Sequence, residues 1–366
     1  MKFATIVFCS AAALALSACE IRPREVAATP APPPPTPAAV ASAPTAIPAP
    51  ALPVASMNPV AQAVDRAVWS AATLADAPAQ LDILIRAQVL LDRAHFSPGV
   101  IDGRGGENVK NAIAAYERAN DLPQDGVLDA EVWAKLAADT GPVLTDYVIT
   151  EADATGPFTP EIPKKYEDMA KLDRLGFANP LEALAERFHM DQALLLALNP
   201  GVDLTAAGAK ILVAATNAAA LPAKVAAIEV DKALKQVRAY DAAGKLLAAY
   251  PATVGSTDMP TPTGELAVRT IAPAPTWTYD PTKLNFGDKS AGKLTIKAGP
   301  NNPVGAVWID LTKDTYGIHG APDPKLVGKV ASHGCVRLTN WDAVQLSKAV
   351  EKGTKVVFLG EAGAKT

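Results

Sequence analysis

Hydrophobic positions between residues 80 and 138 recur at helical spacing in three groups. Segments rich in Asp and Gly, residues 99–103 and 125–129, separate the groups, and such segments are typical of turns. The pattern therefore predicts a small unit of three short helices. Its apolar positions are Leu81, Ile85, Val89, Leu90 and Leu91, then Val109, Ala112, Ile113 and Tyr116, and finally Val132, Trp133 and Leu136.

Residues 143–215 show a weaker pattern, which predicts an α+β module with two strands and two helices. Asn199-Pro200-Gly201 closes the second helix, because Pro and Gly rarely continue one. A long insertion over residues 155–179 interrupts the pattern. The predicted elements are a strand at 147–150, helices at 181–188 and 192–198, and a strand at 211–213.

From residue 224 to residue 360, short hydrophobic runs alternate with turns rich in Asp and Gly, which predicts hairpins. We expect a mostly-β domain there, either a compact sandwich or a barrel-like fold. One helix is predicted over residues 341–351, capped by Thr339 or Asn340. The predicted strands are 225–230, 236–240, 246–250, 252–254, 265–270, 306–310, 316–319 and 355–358.

Residues 273–299 form a long stretch of this domain without a predicted element, and they are rich in Pro and Gly. A loop of this length in a compact domain is usually a functional lid. Trp277 and Tyr279 are its candidate residues for closing over a bound peptide.

The N-terminus has one Lys followed by an apolar run over residues 3–16, which is too short for a good membrane span. This arrangement predicts a secretory signal peptide over residues 1–18. Residues 19–60 are rich in Pro and Ala, so they cannot bury enough apolar surface to fold. We expect a disordered, extended tether in that range.

Composition argues against two classes of partner. The formal net charge is −4 and no run of Lys and Arg occurs, which argues against a nucleic-acid surface. The four His and three Cys residues form neither a CxxC nor an HExxH arrangement. We therefore expect neither a metal site nor a cofactor.

Residues 318–338 bring a Cys and two His residues together, in Ile318-His319-Gly320 and Ser332-His333-Gly334-Cys335-Val336-Arg337-Leu338. A thiol attacks a carbonyl carbon as the thiolate, so Cys335 needs a base within reach. In an extended segment His333 shares a face with Cys335. His319 reaches it only if two neighbouring strands or loops bring them together.

Two further residues of this stretch suit acyl chemistry. Gly334 lacks a Cβ, which would let the backbone N–H groups of Gly334 and Cys335 face a developing oxyanion. Arg337 lies two positions beyond Cys335, so it shares the same face of an extended chain and can pair with a substrate carboxylate.

This stretch resembles the signature of the L,D-transpeptidases with a YkuD-type catalytic domain. The resemblance covers residues 224–360 and implies the fold of that family, with an enzyme that remodels peptidoglycan through a cysteine acyl-enzyme. Further motifs occur in the same order, which makes chance agreement improbable. They are Pro262-Thr263-Gly264, Ala274-Pro275-Thr276-Trp277 and Gly299-Pro300-Asn301-Asn302-Pro303-Val304-Gly305.

The resemblance implies roles for several residues. Cys335 is the expected nucleophile and His319 its base, with Gly320 orienting the ring and binding substrate. His333 and Gly334 are expected to shape the pocket and the oxyanion hole. Ser332 is expected to form local hydrogen bonds near the thiol. His333 stays an alternative base, because geometry decides between the two imidazoles.

The N-terminal part of the chain carries weaker resemblances. Residues 80–138 resemble the type 1 peptidoglycan-binding domain, with any small three-helix bundle as the alternative. Residues 143–215 resemble a LysM module apart from their insertion, with a plain structural spacer as the alternative. The signal ends in a sequence that resembles a lipobox, which implies that Cys19 is lipidated. Glu20 then favours the periplasmic face of the outer membrane.

Together these resemblances imply an exported, lipid-anchored peptidoglycan L,D-transpeptidase. Cys335 would attack a tetrapeptide stem, release D-Ala and pass the acyl group to an amine. Use of water as the acceptor would instead give an L,D-carboxypeptidase or endopeptidase. A non-catalytic lipoprotein that anchors the wall and a sortase-like transpeptidase are two further candidate functions. The expected partners are stem peptides, glycan and, through Cys19, a membrane.

Overall fold

The computed structural model describes residues 55–216, 219–284 and 287–360. The predicted signal peptide, Cys19 and most of the predicted tether lie outside these residues. The prediction that the tether extends to residue 60 is wrong. Ala55 forms a β-bridge with Thr145, and the Ser56 hydroxyl donates to Asp146 Oδ1 at 2.6 Å. No described helix is both long and apolar enough to cross a membrane.

The three predicted helices of the helical domain are confirmed, and two further helices precede them. Two buried polar side chains fix the turns between the predicted helices. Gln88 accepts from the backbone N–H groups of Asp102 and Gly103, while Glu117 accepts from the N–H of Gly126 at 2.9 Å. The helices are α1 (Pro59–Arg66), α2 (Ala71–Ala75), α3 (Ala77–Arg93), α4 (Glu107–Ala119) and α5 (Ala130–Leu136).

The middle module has the predicted strand, helices and strand, with two further short helices. Its two strands pair antiparallel, with Tyr147 opposite Ile211. Asn199 joins the last helix to the second strand, because its side chain bonds Leu195 O, Leu212 O and Leu212 N. The elements are β1 (Leu144–Val148), α6 (Glu151–Thr155), α7 (Tyr166–Met169), α8 (Pro180–Arg187), α9 (Gln192–Leu198) and β2 (Lys210–Ala214).

A mostly-β domain follows, as predicted. Its elements are β3 (Ala227–Asp231), β4 (Gln236–Tyr240), β5 (Leu246–Pro251), β6 (Gly264–Pro273), β7 (Trp277–Tyr279), β8 (Leu294–Ile296), β9 (Val307–Leu311), β10 (Gly317–His319), β11 (Val336–Arg337), α10 (Asn340–Ala349) and β12 (Lys355–Leu359). The main sheet has eight strands in the order β11-β10-β9-β6-β12-β3-β4-β5, and β7 and β8 form a separate hairpin.

The main sheet curls until its two edges meet. Just beyond β5, the Thr253 N–H donates to the Arg337 carbonyl at 2.8 Å, and the Arg337 N–H donates to the Thr253 carbonyl at 2.9 Å. The long strand β6 pairs with β12 along its first half and β9 along its second, with a bulge between Val268 and Thr270. The barrel-like expectation therefore fits the structure, and the sandwich of two facing sheets is wrong.

One hydrophobic core spans the helical domain and the middle module. It joins Ile83 and Trp133 of the first to Leu195 and Val213 of the second, and it extends to Tyr240 on β4. A second core fills the curled sheet beneath α10. The helical domain, the middle module and the β domain are therefore packed as one body and do not form separate units along the chain.

A buried polar cluster joins these three parts. His189 of the middle module bonds Asp92 of α3 at 2.8 Å, and its ring stacks on Trp341 of α10 with centroids 4.8 Å apart. The Ser97 hydroxyl donates to Asp342 Oδ2 at 2.9 Å. Burial raises the pKa of Asp342 to about 7. Burial also opposes protonation of His189, but the carboxylate of Asp92 raises its pKa overall.

The folded protein should lose stability as the pH rises through the titration of Asp342. Its folded-state pKa of about 7 lies above the ordinary pKa of an Asp side chain. At pH values between these two pKa values, the folded chain therefore binds one more proton than the unfolded chain. This group should lower the free energy of unfolding by about 1 kcal/mol per pH unit between about pH 5 and pH 7. Urea denaturation of the wild type and Asp342→Asn measures the contribution as the difference between their pH slopes.

The control for this measurement is Glu351→Gln, which changes an exposed carboxylate in the same domain. Its pH slope should match that of the wild type. Equal slopes for the wild type and Asp342→Asn would contradict the assignment.

Candidate active site

Parallel pairing of two short strands brings His319 into the neighbourhood of Cys335. Strand β10 pairs with β11 so that Ile318 lies opposite Val336 and His319 lies opposite Arg337. Cys335 directly precedes β11, two positions before the residue that lies opposite His319, so the strand pair brings the two residues into one neighbourhood. The sequence analysis required two neighbouring strands or loops for His319 to reach Cys335, and β10 and β11 are such a pair of strands.

The turn before the thiol is held by Ser332. Its hydroxyl donates to the Cys335 carbonyl at 2.6 Å and accepts from the Gly334 N–H at 3.1 Å, and the side chain is buried. Gly334 has a φ of 117°, a conformation that favours glycine. Because Ser332 occupies the Gly334 N–H, the prediction that this N–H faces the oxyanion is wrong. The local role expected of Ser332 agrees with these contacts.

The Cys335 thiol is the nucleophile candidate at this turn. Its Sγ donates to the Thr315 carbonyl at 3.5 Å, and the residue is partly exposed. The sulfur itself sits deep enough that burial raises the pKa of the thiol. The Gly317 N–H and the charge of Arg337 act in the opposite direction. In this resting state the group is therefore a neutral thiol at pH 7.

The imidazole of His319 is buried and fixed from two sides. Its Nδ1 lies 2.6 Å from the Gly320 carbonyl, and its ring stacks on Trp308 with centroids 5.2 Å apart. Burial lowers the pKa of His319 to about 3, and the charge of Arg337 adds to this effect. The carbonyls of Gly320 and Val304 act in the opposite direction. Gly320 thus orients the ring, as expected.

The two imidazoles differ in how far they are buried. His319 is 3% exposed and lies on a strand, whereas His333 is exposed on the turn. Burial and the charge of Arg337 lower the pKa of His333 as well. Within the described residues the thiol forms no hydrogen bond with the His319 ring, and such bonds often tighten only when substrate binds.

Arg337 is the charged centre of the site. Its guanidinium acts on the pKa of Cys335, His319 and His333 in the same direction, towards the less protonated form. Its Nε is buried and has no hydrogen-bond partner, and no carboxylate in the described residues forms a salt bridge with it. A partly exposed cation without an anion is suited to bind one.

The prediction that Tyr279 closes over substrate is wrong. Residues 273–299 contain the hairpin β7–β8, and Tyr279 is fully buried, with its hydroxyl donating to the Asp288 carbonyl at 2.8 Å. Trp277 is partly exposed and packs against Tyr166 of α7, with ring centroids 4.9 Å apart. Sequence reasoning missed Tyr166. Its only sequence signal was that it lies in the long insertion of the middle module.

Comparison with known proteins identifies two families in this chain. The model described as "L,D-transpeptidase catalytic domain" matches residues 226–358, and the model described as "Putative peptidoglycan binding domain" matches residues 82–136. The first contains the strands and the turn that hold Cys335 and His319. The second covers most of α3 and all of α4 and α5.

Curated relatives agree with the first match. The "Putative L,D-transpeptidase YkuD" of Bacillus licheniformis is 30% identical over 179 residues, which cover 48% of this chain and 91% of that protein. Its Bacillus subtilis counterpart is 28% identical over 180 residues, covering 49% and 92%. The "Probable L,D-transpeptidase YbiS" of Escherichia coli K12 is 30% identical over 192 residues, covering 51% and 62%.

Alkylation of Cys335 by iodoacetamide should be slow at neutral pH, because the reagent attacks the thiolate and burial raises the pKa of the thiol. Removal of a nearby positive charge disfavours the thiolate, so Arg337→Gln should slow alkylation about 3- to 10-fold at a fixed pH near 8. The rate at Cys335 can be followed by peptide mass spectrometry across a pH series.

Lys352→Gln is the matched control, because it removes an exposed charge from a turn of the same domain. Its rate should equal that of the wild type. A wild-type midpoint below about pH 7 would instead show a preformed thiolate paired with an imidazolium, which contradicts the neutral resting state.

Proposed function

The chain belongs to the L,D-transpeptidase family, and from this premise we propose that it transfers peptidoglycan stem peptides through a thioester on Cys335. The observation that carries the assignment of Cys335 is its position. The thiol is partly exposed beside β11, and the adjacent strand supplies a buried, neutral imidazole. A neutral imidazole beside a neutral thiol is the pair that can generate a thiolate as substrate binds.

The first step forms the acyl-enzyme. The Cys335 thiol rotates away from the Thr315 carbonyl and gives its proton to His319, and the sulfur attacks the carbonyl carbon that precedes the terminal D-Ala. The bond between that carbon and the D-Ala nitrogen breaks. The leaving nitrogen takes the proton from His319, and D-Ala departs as a neutral amine while the thioester remains on Cys335.

The second step transfers the acyl group. An amine of a second stem attacks the thioester carbon, His319 takes a proton from that nitrogen, and the carbon–sulfur bond breaks. The departing sulfur takes this proton from His319, so the resting thiol and the neutral imidazole are both restored. The carbonyls of Gly320 and Val304 favour the imidazolium that forms in each step, which compensates for the burial of the ring.

The oxyanion and the substrate carboxylate need their own donors. Because Ser332 holds the Gly334 N–H, we assign the oxyanion contact to the N–H of Cys335 at the same turn. Arg337 is positioned to pair with a carboxylate of the stem peptide, since no carboxylate of the described chain forms a salt bridge with it. Cys335, His319 and Arg337 thus share one face of the strand pair β10–β11.

The preceding parts of the chain suggest how the enzyme meets its substrate. The peptidoglycan-binding domain supplies a contact to the cell wall. We propose that the middle module, with its LysM-like order of elements, adds a second contact to glycan. The alternative is a structural role, which its shared core with the helical domain also supports.

Intact-mass spectrometry with a disaccharide tetrapeptide tests the assignment of the residues. The wild type should show a transient adduct and accumulate dimeric muropeptides. Cys335→Ala should show neither, and His319→Ala should acylate at least about 100-fold more slowly, because a positioned base contributes about that factor or more. His333→Ala is the comparison that separates the two imidazoles, and it should retain acylation.

The products distinguish the remaining functions. Loss of D-Ala without dimers would identify water as the acceptor and the enzyme as a carboxypeptidase. Acylation that survives in His319→Ala but not in His333→Ala would exchange the two roles. No adduct and no turnover in the wild type would leave a non-catalytic protein that anchors the wall.

A further inference from the structure

Helix α8 of the middle module presents two carboxyl groups to the catalytic domain. Glu182 and Glu186 lie one helical turn apart, so their side chains share one face of the helix. The Asn301 Nδ2 donates to Glu182 Oε1 at 3.0 Å, and the Asn340 Nδ2 donates to Glu186 Oε1 at 2.9 Å. Each carboxyl group of this face therefore holds an asparagine side chain of the catalytic domain.

The side-chain amide of Asn340, the first residue of α10, is held at both of its polar atoms. Its Oδ1 accepts from the Ala306 N–H at 2.8 Å, and its Nδ2 donates to the Pro300 carbonyl at 3.2 Å as well as to Glu186. A backbone N–H can only donate, so the amide oxygen must face Ala306 and the amide nitrogen must face Glu186. Because Asn340 is buried, these bonds fix the position of its amide.

Two glycines make room for the Asn340 amide. A Cβ at Gly320 or at Gly305 would overlap Asn340 Oδ1. The φ of Gly320 lies outside the left-handed range, so its backbone conformation does not itself require glycine. The missing side chain at Gly320 instead lets the Asn340 amide pack directly against the residue that follows His319.

Gly320 in turn fixes the tautomer of His319. Its carbonyl lies 2.6 Å from His319 Nδ1, and a carbonyl oxygen can only accept, so the neutral ring carries its proton on Nδ1. The nitrogen that can take the proton of Cys335 is therefore Nε2. A displaced Gly320 carbonyl would release Nδ1 and allow the other tautomer, in which Nε2 is protonated and cannot act as a base.

We propose that Asn340 is a positioning residue for His319, and that Glu186 of the middle module holds the Asn340 amide in the orientation that this requires. Glu186 bonds the amide, and the amide packs on Gly320. The Gly320 carbonyl then holds the proton on His319 Nδ1. The inference rests on the proposed function, because His319 is the base there. It makes the middle module part of the framework that sets the tautomer of the base.

The carboxyl group of Glu186 is neutral at pH 7, which provides a matched pair of variants. Burial raises its pKa to about 8, and Glu182 adds to this effect, while the bond from Asn340 and the charge of His189 oppose it. A neutral carboxyl group and a glutamine amide have nearly the same shape, and both offer a carbonyl oxygen as acceptor. Glu186→Gln should therefore keep the contact with Asn340, whereas Glu186→Met keeps the packing and removes the acceptor.

Nitrogen-15 NMR of the full chain with labelled histidine tests the proposal without requiring turnover. The chain has four His residues, and His319→Gln identifies the signals of His319 by their loss. The pKa of about 3 keeps the His319 ring neutral at pH 7, and the wild type should show it protonated on Nδ1 alone. Glu186→Met and Asn340→Ala should each give a mixture of tautomers, and Glu186→Gln should match the wild type.

Acylation kinetics with the disaccharide tetrapeptide supply the second readout. Glu186→Met should lower the saturating rate of acylation about 10- to 100-fold, because a small displacement of a catalytic group costs about that factor. The substrate concentration at half-saturation should stay unchanged, because Glu186 acts on the base and not on the substrate. Glu186→Gln should keep the wild-type rate. Glu161→Met is the control, since it changes an exposed carboxylate of the same module, and it should leave both readouts unchanged.

Two results would overturn the proposal. One is a single Nδ1 tautomer with an unchanged acylation rate in Glu186→Met, and a lower melting temperature in that case would leave Glu186 as a contact between two parts of the fold. The other is an equal effect of Glu186→Gln and Glu186→Met, which would show that the acceptor is not the cause. Failure of the proposed function is read separately, from whether wild-type Cys335 forms an adduct with the tetrapeptide.

Discussion

A pair of backbone hydrogen bonds between Thr253 and Arg337 is the constraint on which the site depends. Strand β11 has only two residues, too few to hold a position by one ladder alone. Pairing with β10 on one side and with Thr253 on the other gives it two partners, which closes the curled sheet. Cys335 directly precedes this strand, so the closure fixes the thiol relative to His319.

The same closure accounts for the electrostatics of the site. Arg337 lies in the closed seam, and its charge opposes protonation of both imidazoles while it favours the Cys335 thiolate. Burial acts against the thiolate, so the resting thiol stays protonated. Together the two effects keep the nucleophile protonated at rest and keep the base neutral, so that it can accept a proton.

Sequence patterns predicted much of the fold because helices and strands bury one face each, at spacings that a single chain displays. They also singled out Cys335 with His319 and His333 as candidates, since few residue types can form a nucleophile and its base, whereas the preference for His319 came from the family resemblance. Two features of the site could not be predicted in this way: the hydrogen bond from the Gly334 N–H to Ser332, and the burial of Tyr279. Both depend on side-chain contacts in the folded chain, which a pattern of hydrophobic positions does not show. Tyr166 was missed for the same reason, because its neighbours Trp277 and Tyr279 lie more than a hundred residues away.

Amide hydrogen exchange at Thr253 and Arg337 tests the central claim most directly. If the closed seam holds the active site, both amides should exchange as slowly as those of the central strands of the sheet, which open only when the domain unfolds. The account predicts this protection in the free enzyme, before substrate binds. Fast exchange of both amides beside protected neighbours in β10 would show that the seam is open and contradict the account.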